Sequence, residues 1–427
     1  MEKTGESYAA ARRHIVAGPG ASTPVAESPK GGALVHFPGT SPAPTALRIL
    51  LAHAGVLAPH TKQPFTEAMT FGIGGGVGAG VFAFHYEKDG WSSLFVSGRH
   101  LWCDDVAWMK AASQRFGMKP IIAESGGATA AAKALVTATA NGPAVAWVDK
   151  ASLPYWGLPA SWVGGGYHVL TVYQVDGDHA LVGDLADEPI RVPLSQLNAA
   201  RARIKKDKSR LLTLSPATNP VDLRTAVKAG LSACAEGLVQ GRMTSFTLEA
   251  FRLWGERMYG ARGKDSWDVV FPPGPKLWRG LWSIHDFIEH WGSGGGLSRP
   301  LMADFLAEAA DALSAPGLRA VGERYAALGR GWTALAEAAL PENVPDLFKA
   351  RGLLARKAEV FHGEGEPTGE ELRSLWDRLS CLGKGPEAFP LSDEEAVNLR
   401  KKLKPMILDL YAGEKVAQEA LARAAEL

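Results

Sequence analysis

His168 and Asp184 are the residues of this chain whose types and spacing could do chemistry together. His168 opens the apolar run His168–Val175, Asp184 closes the run Ala180–Asp184, and the turn pair Asp176-Gly177 lies between them. Because the two lie symmetrically about that turn, an antiparallel hairpin sets them opposite each other or one diagonal step apart. An imidazole beside a carboxylate is the base-and-orienter half of a nucleophilic triad: the carboxylate fixes the ring, and the ring takes a proton. The same spacing also fits an ordinary hairpin with a structural His and a turn-proximal Asp.

A nucleophile served by such a pair belongs at the start of a helix, whose N-terminus stabilises a thiolate in a papain-like arrangement. A suitable helix is legible at Pro44–Gly55, with Pro in its opening turn, an apolar face and a terminal Gly. The residues before it, Gly39-Thr40-Ser41-Pro42-Ala43, include no cysteine. Ser41, and less readily Thr40, offers a hydroxyl there, but an alkoxide is harder to make than a thiolate. Cys103, in Trp102-Cys103-Asp104-Asp105, sits at another helix start. The adjacent carboxylates would raise its pKa, so it makes a poor replacement nucleophile.

Several segments in one order resemble a known family. The run Thr66-Glu67-Ala68-Met69-Thr70-Phe71-Gly72-Ile73-Gly74-Gly75-Gly76-Val77-Gly78, the element Leu153-Pro154-Tyr155, His168 and Asp184 resemble the family named after butirosin biosynthesis protein H. The run Ile288-Glu289-His290-Trp291-Gly292-Ser293-Gly294-Gly295-Gly296-Leu297-Ser298-Arg299 resembles an uncharacterised helical family commonly fused behind it. Together the likeness extends over roughly residues 33 to 340. It implies a fold like that of cysteine peptidases and transfer of an aminoacyl group from a carrier-protein thioester to an amine. Aligned on Thr45-Ala46-Leu47-Arg48, the family's His-Cys pair falls on Ser41-Pro42, so the chain departs from the pattern at the nucleophile.

The elements that must position these residues divide the chain. Residues 1–32, rich in Gly, Pro, Ala and Ser, read as a flexible N-terminal arm. Residues 33–214 carry helices near 44–54, 104–116 and 127–141 and then strands Ala144–Val148, His168–Val175, Ala180–Asp184 and Ile190–Val192. Helices first and hairpins late give an α+β class, a papain-like domain. Residues 215–362 read as an all-helical domain and 363–427 as a helical extension. Its last part, Asp393–Leu427, reads as two helices suited to capping the bundle or to contacts in a homodimer.

Composition narrows the classes. The 427 residues carry 46 basic against 45 acidic side chains, which leaves no electrostatic footprint for nucleic acid. Three widely spaced cysteines, Cys103, Cys234 and Cys381, argue against a disulfide framework or a zinc site and for a reducing cytoplasm. With no apolar signal core and no long apolar stretch, a soluble, cytoplasmic protein without membrane, metal or cofactor is expected.

The remaining candidates are substrate contacts. The Gly72–Gly80 run lacks the ending of a phosphate loop, and Gly74, Gly75 and Gly76 instead suggest bare backbone for a substrate or helix to lie against. Glu67 could line the cleft or bond those amides. Arg99 could hold an anion bidentately, or pair at the surface. Arg299 and the amides of Gly294–Gly296 could receive an anion at a helix start, or form a tight interdomain turn. Tyr155 and Glu289 enter through the resemblance, and His36, His53, His60 and His85 read as structural or surface residues. Residues 39–44, Gly72–Gly78, Tyr155, His168 and Asp184 are expected in one pocket, with Trp and Arg299 from the helical domain. The reading is an enzyme moving an acyl or aminoacyl group from a carrier protein or other thioester donor to a small-molecule amine or peptide in secondary metabolism, with His168, Asp184 and Ser41 as catalytic candidates. A binding module without catalysis and an amide or thioester hydrolase remain open.

Overall fold

Apolar runs bounded by turn residues pair into one antiparallel sheet in the first half of the chain, and amphipathic helices fill the second. The computed structural model describes residues 24–27, 33–86, 91–99, 104–216, 221–241, 243–363, 369–382 and 389–426. Cys103 and most of the expected N-terminal arm lie outside the described residues.

Strands β1 (Pro24–Glu27) and β2 (Ala33–Val35) pair ahead of helices α1 (Pro42–His53) and α2 (Glu67–Gly74). Strands β3 (Val77–Tyr86) and β4 (Trp91–Arg99) form a separate hairpin. Then come α3 (Asp105–Arg115), β5 (Met118–Ala123), α4 (Ala128–Thr139), β6 (Ala144–Asp149), β7 (Tyr167–Asp176), β8 (His179–Gly183), β9 (Ile190–Pro193), α5 (Leu194–Arg203) and β10 (Leu211–Pro216). The six-stranded sheet runs β5-β10-β6-β7-β8-β9 with antiparallel neighbours throughout.

Both faces of its centre are covered, which is why β6 is apolar along its length. Val145, Trp147 and Val169 join the cluster of Leu47 and Leu50 on α1. Their neighbours Ala146, Val148, Leu170 and Val172 join Leu135 of α4 and Leu197 of α5. Successive side chains thus take opposite faces, as a pleated strand requires.

The turn between β7 and β8 pairs Asp176 with His179, and Gly177 takes a φ of 58°, where a Cβ would be strained. The register shifts between Val172 and Gln174, a β-bulge. Beyond it Thr171 faces Gly183. The same register continued sets Asp184 opposite Leu170, one diagonal step from His168 and on its face.

The second half is helical: α6 (Leu223–Val239), α7 (Glu249–Met258), α8 (Trp267–Val270), α9 (Pro275–Glu289), α10 (Arg299–Leu313), α11 (Gly317–Ala339), α12 (Pro345–His362), α13 (Gly369–Leu382) and α14 (Asp393–Ala424). The chain is therefore a mixed α/β region followed by a helical region. The expected pair of C-terminal helices is instead one helix of 32 residues, opened by a Ser392–Glu395 capping box. Pro405 lies inside it without ending it. One buried cluster runs from Leu47 and Phe71 through Trp332 to Leu421, so the two regions share a core. No helix of the described residues is long and apolar enough to cross a membrane, and no group of His, Cys, Asp and Glu among them could hold a metal ion.

Candidate active site

His168 Nε2 lies 2.8 Å from Asp184 Oδ1 and 3.0 Å from Oδ2, and both side chains are buried. A carboxylate only accepts, so Nε2 carries the proton and Nδ1 is the basic nitrogen of the neutral ring. Asp184 is further held by the Tyr155 hydroxyl at 2.9 Å, the Trp156 indole N–H at 3.2 Å and the Leu185 amide at 2.8 Å. Burial alone would raise the Asp184 pKa. The His168 ring and these donors outweigh burial and hold it below the ordinary carboxylate value. The carboxylate therefore stays charged and fixes the ring.

The loop carrying Tyr155 and Trp156 is tied down by Asp149, at the end of β6. Its carboxylate accepts from the Ser152 hydroxyl at 2.8 Å and from the amides of Gly164 at 2.7 Å and Gly166 at 3.0 Å. A Cβ on Gly166 would come within 2.5 Å of Asp149 Oδ1, so the approach requires glycine. Trp156 then meets His168 edge-on, and Phe361 of α12 stacks on the indole at 4.0 Å.

Helix α1 begins at Pro42, two residues before the Pro44 at which the sequence suggested it, and Ser41 is its N-cap with extended backbone. Proline is tolerated there because the first helical N–H has no intrahelical partner to lose. Glu67 fixes the segment that leads into the helix: it accepts from the amides of Ser41 at 2.7 Å and Thr40 at 2.9 Å and from the Thr45 hydroxyl at 3.1 Å. Burial raises the Glu67 pKa, and those donors with Arg48 work against the rise. Ser41 is fully buried, and its Oγ has no hydrogen-bond partner among the described residues.

Between the α/β region and the helices lies a cavity of about 550 Å³. Pro42, Ala43 and His168 border it from one side, and Phe287, His290, Trp291, Lys357 and Trp376 from the other. Lys150 also borders it, with its ammonium 3.6 Å from the centre of the Trp291 ring and 4.4 Å from that of Trp156. Lys357 lies 3.6 Å over Trp376 and 3.3 Å from the buried Asp286 carboxylate. Burial lowers the Lys357 pKa against the pull of Asp286. His290 is brought down to about 3 by burial, with Lys357 adding to the effect, so its ring is neutral.

The other sequence candidates are placed elsewhere. Ser41, Glu67, Gly74, Gly75, Gly76, Tyr155, Asp184, Glu289 and Arg299 do not border the cavity. Tyr155 and Asp184 stand directly behind His168. A Cβ on Gly74 would overlap Trp108 at 2.2 Å, and one on Gly76 would come within 2.8 Å of Met302, so these glycines serve packing between helices. Arg299 is fully buried: it pairs with Glu414 at 2.6 Å and donates to the carbonyls of Gly78, Gly98 and Leu297. Its donors are committed to protein acceptors, and Gly294–Gly296, with φ of 65°, 83° and 53°, form a tight turn between the regions. Glu289 accepts from the Gly296 amide and the Thr333 hydroxyl. The Arg99 side chain lies outside the described residues. Of the scattered histidines, His36 meets the Tyr173 hydroxyl at 2.8 Å, His53 the Val35 carbonyl, His60 Glu308 and His85 the Ser92 hydroxyl.

Lys150, Trp156, Asp286 and Lys357 were not singled out from the sequence. Lys150 stands inside the informative run before Leu153-Pro154-Tyr155, and a lysine in an otherwise apolar segment was the available signal. Lys357 sits in an ordinary Lys/Arg/Ala helix and carries none.

No curated protein matches the chain. The family model for Butirosin biosynthesis protein H, N-terminal, matches residues 42–185. A second, Domain of unknown function (DUF4872), matches residues 194–346. Strand β10 falls within the second match although it completes the first sheet, and Lys357, Phe361 and Trp376 lie beyond both. The chain is thus similar over about a third of its length to the family of Butirosin biosynthesis protein H, N-terminal, and a DUF4872 match follows that region.

Proposed function

We propose that the protein transfers an acyl or aminoacyl group from a carrier-bound thioester to an amine in a biosynthetic pathway, by direct attack without an acyl-enzyme. The observation that carries this is the buried His168–Asp184 pair at the wall of a cavity that Pro42 also borders. His168 Nδ1 takes a proton from the neutral acceptor amine as it adds. The amine nitrogen bonds to the thioester carbon, the C–S bond breaks, and the departing thiolate receives the proton from the imidazolium. Asp184 stabilises that imidazolium and keeps the ring in the productive tautomer. Held side by side, the two substrates gain most of their rate from proximity.

Pro42 has no thiol and no N–H, and Ser41 Oγ does not border the cavity, which favours direct attack over a serine nucleophile. The papain-like arrangement is part of this proposal. It draws on the helix α1 start and the His-bearing strand sharing one cavity, and on the family name.

The test is incubation with acyl-pantetheine or acyl-carrier thioesters, with and without amines, read by mass spectrometry. Amide product that falls by about 10²-fold or more in His168→Ala supports the proposal. An acylated peptide of the protein, or full activity in a folded His168→Ala, overturns direct attack by this pair.

A further inference from the structure

We infer that the cavity takes an aromatic ring, so that the acyl group or the amine brought to His168 carries an aryl substituent on a short linker. Phe84, Phe95, Phe287, Trp291, Trp162 and Trp376 all border the cavity. In that order they form a continuous chain of contacts, with successive ring centres 5.9, 5.0, 5.7, 5.5 and 5.2 Å apart. The planes of neighbours lie 53° to 85° apart, so no ring of the chain is stacked flat on the next. Their faces are therefore not hidden by one another.

Much of this aromatic surface is left uncovered. Phe95, Trp162, Phe287 and Trp291 are half-buried, and Phe84 on the hairpin is exposed. Core rings of the same chain, such as Trp254, Trp278 and Trp332, are at most 4 % exposed. Uncovered rings gathered on one cavity mark a ligand site, because an apolar group laid against them removes area from water on both partners. The rings also come from distant stretches: Phe84 and Phe95 from β3 and β4, Phe287 from α9 and Trp376 from α13. Their continuity is thus a property of the assembled fold.

Charge decides which ligand. An aromatic lining also suits a cation, but Lys357 already lies 3.6 Å over Trp376 and the Lys150 ammonium 3.6 Å from the centre of Trp291. A further cation on these rings meets repulsion, and a neutral ring does not. An aryl group also gains edge and face contacts that a saturated ring of the same skeleton lacks. Because His168 borders the cavity from the α/β side and Phe287, Trp291 and Trp376 border it from the helical side, a ring seated on them reaches His168 through a linker of a few bonds.

This inference rests on the transfer reading for what carries the ring, and binding alone tests it. The full-length protein is titrated by calorimetry with two series. One is the acetyl, 3-cyclohexylpropanoyl and 3-phenylpropanoyl thioesters of N-acetylcysteamine; the other is ethylamine, 2-cyclohexylethylamine and 2-phenylethylamine. In at least one series the phenyl member should bind about tenfold tighter or more than the smallest member. It should also bind about threefold tighter or more than its cyclohexyl counterpart. The series that shows this tells whether the acyl group or the acceptor bears the ring. The preference for phenyl should vanish in Trp291→Leu and in Phe287→Leu, and persist in Phe348→Leu, at an exposed ring of α12 that does not border the cavity. No binding, or equal binding of phenyl and cyclohexyl members in both series, overturns the inference in the unmodified protein, where no variant need fold. A preference that survives both cavity variants overturns it too. Phenyl-selective binding without transfer of any acyl group would sustain the aromatic site and sink the transfer proposal; transfer without phenyl preference in either series would do the reverse.

Discussion

Trp156 and His168 meet edge to face, with ring centroids 5.2 Å apart and planes at 79°. The same indole donates its N–H to the carboxylate that orients the imidazole, at 3.2 Å. Packing and hydrogen bonding therefore fix one ring by two routes. Trp156→Phe keeps much of the first and removes the second, while Tyr155 and Leu185 still hold Asp184. Losing one hydrogen bond of about 1 kcal/mol should lower transfer kcat by about three- to tenfold. A steady-state assay with the variant's melting curve alongside checks it.

Asp184→Asn tests the carboxylate itself. The amide preserves size but no longer fixes the tautomer or stabilises the imidazolium, so kcat should fall by about 10²- to 10⁴-fold with KM little changed. The same group has a stability signature. Its pKa is depressed in the folded state, so its contribution is complete above about pH 4 and fades as pH falls through the lower native value. Urea melts of the two proteins should differ at neutral pH, and the part of the difference owed to the Asp184 charge should disappear as pH falls below about 4.

His290 predicts a second pH effect at milder acidity. Its ring is neutral in the folded protein, with a pKa of about 3, while the unfolded chain takes a proton below about pH 6.5. Stability from the neutral ring is whole above that pH and is lost as pH falls from there toward 3. His285 is shifted in the same direction by burial. His290→Asn should flatten the pH dependence of unfolding free energy by up to about 1.4 kcal/mol per pH unit in that window.

Pro42→Cys restores a thiol at a position that borders the same cavity as His168. The helix should survive, since the first helical position accepts cysteine without strain. The variant should gain an iodoacetamide-sensitive thiol and a detectable acyl adduct with thioester donors. Both should diminish in the double variant with His168→Ala. A thiol that reacts no faster than the exposed Cys381 would count against a papain-like placement of these residues.

Arg299 and Glu414 are both fully buried, and Arg299 bridges the carbonyls of Gly78 and Gly98 in the hairpin to the C-terminal helix. Trp332 adds an indole N–H to Glu414 at 2.7 Å. Glu414→Ala strands a buried cation and should cost about 3–5 kcal/mol, read as a lowered midpoint in denaturant. Truncation before α14 should have at least the same effect.

The hairpin, the early helices and the helical second half were legible because each rests on local signals: a turn pair, an apolar period, a helix-opening proline. His168 and Asp184 were legible for the same reason. Their spacing within one hairpin makes a long-range contact out of a short-range one. Ser41 and Arg299 show where such reading stops. Both have the right chemistry for a site, but whether a hydroxyl or a guanidinium faces a cavity or a carbonyl is decided by distant segments, such as Glu67 for the helix start and Glu414 for Arg299. Lys150 and Lys357 escaped notice because indole rings from three separate stretches make their setting. The Asp393–Leu427 segment read as two helices, yet α14 runs unbroken through Pro405, as packing along one face outweighs a single missing N–H.

The bulge in β7 sets regularity against activity. Pairing Tyr173 with Val182, with no residue skipped, would leave an unbroken ladder between β7 and β8, a straighter and more uniform hairpin. It would also set Asp184 opposite Thr171, an odd number of residues from His168, and so turn the imidazole and Asp184 toward opposite sides of the sheet. The neater strand would carry a separated pair, and the irregularity is what keeps the two groups in company.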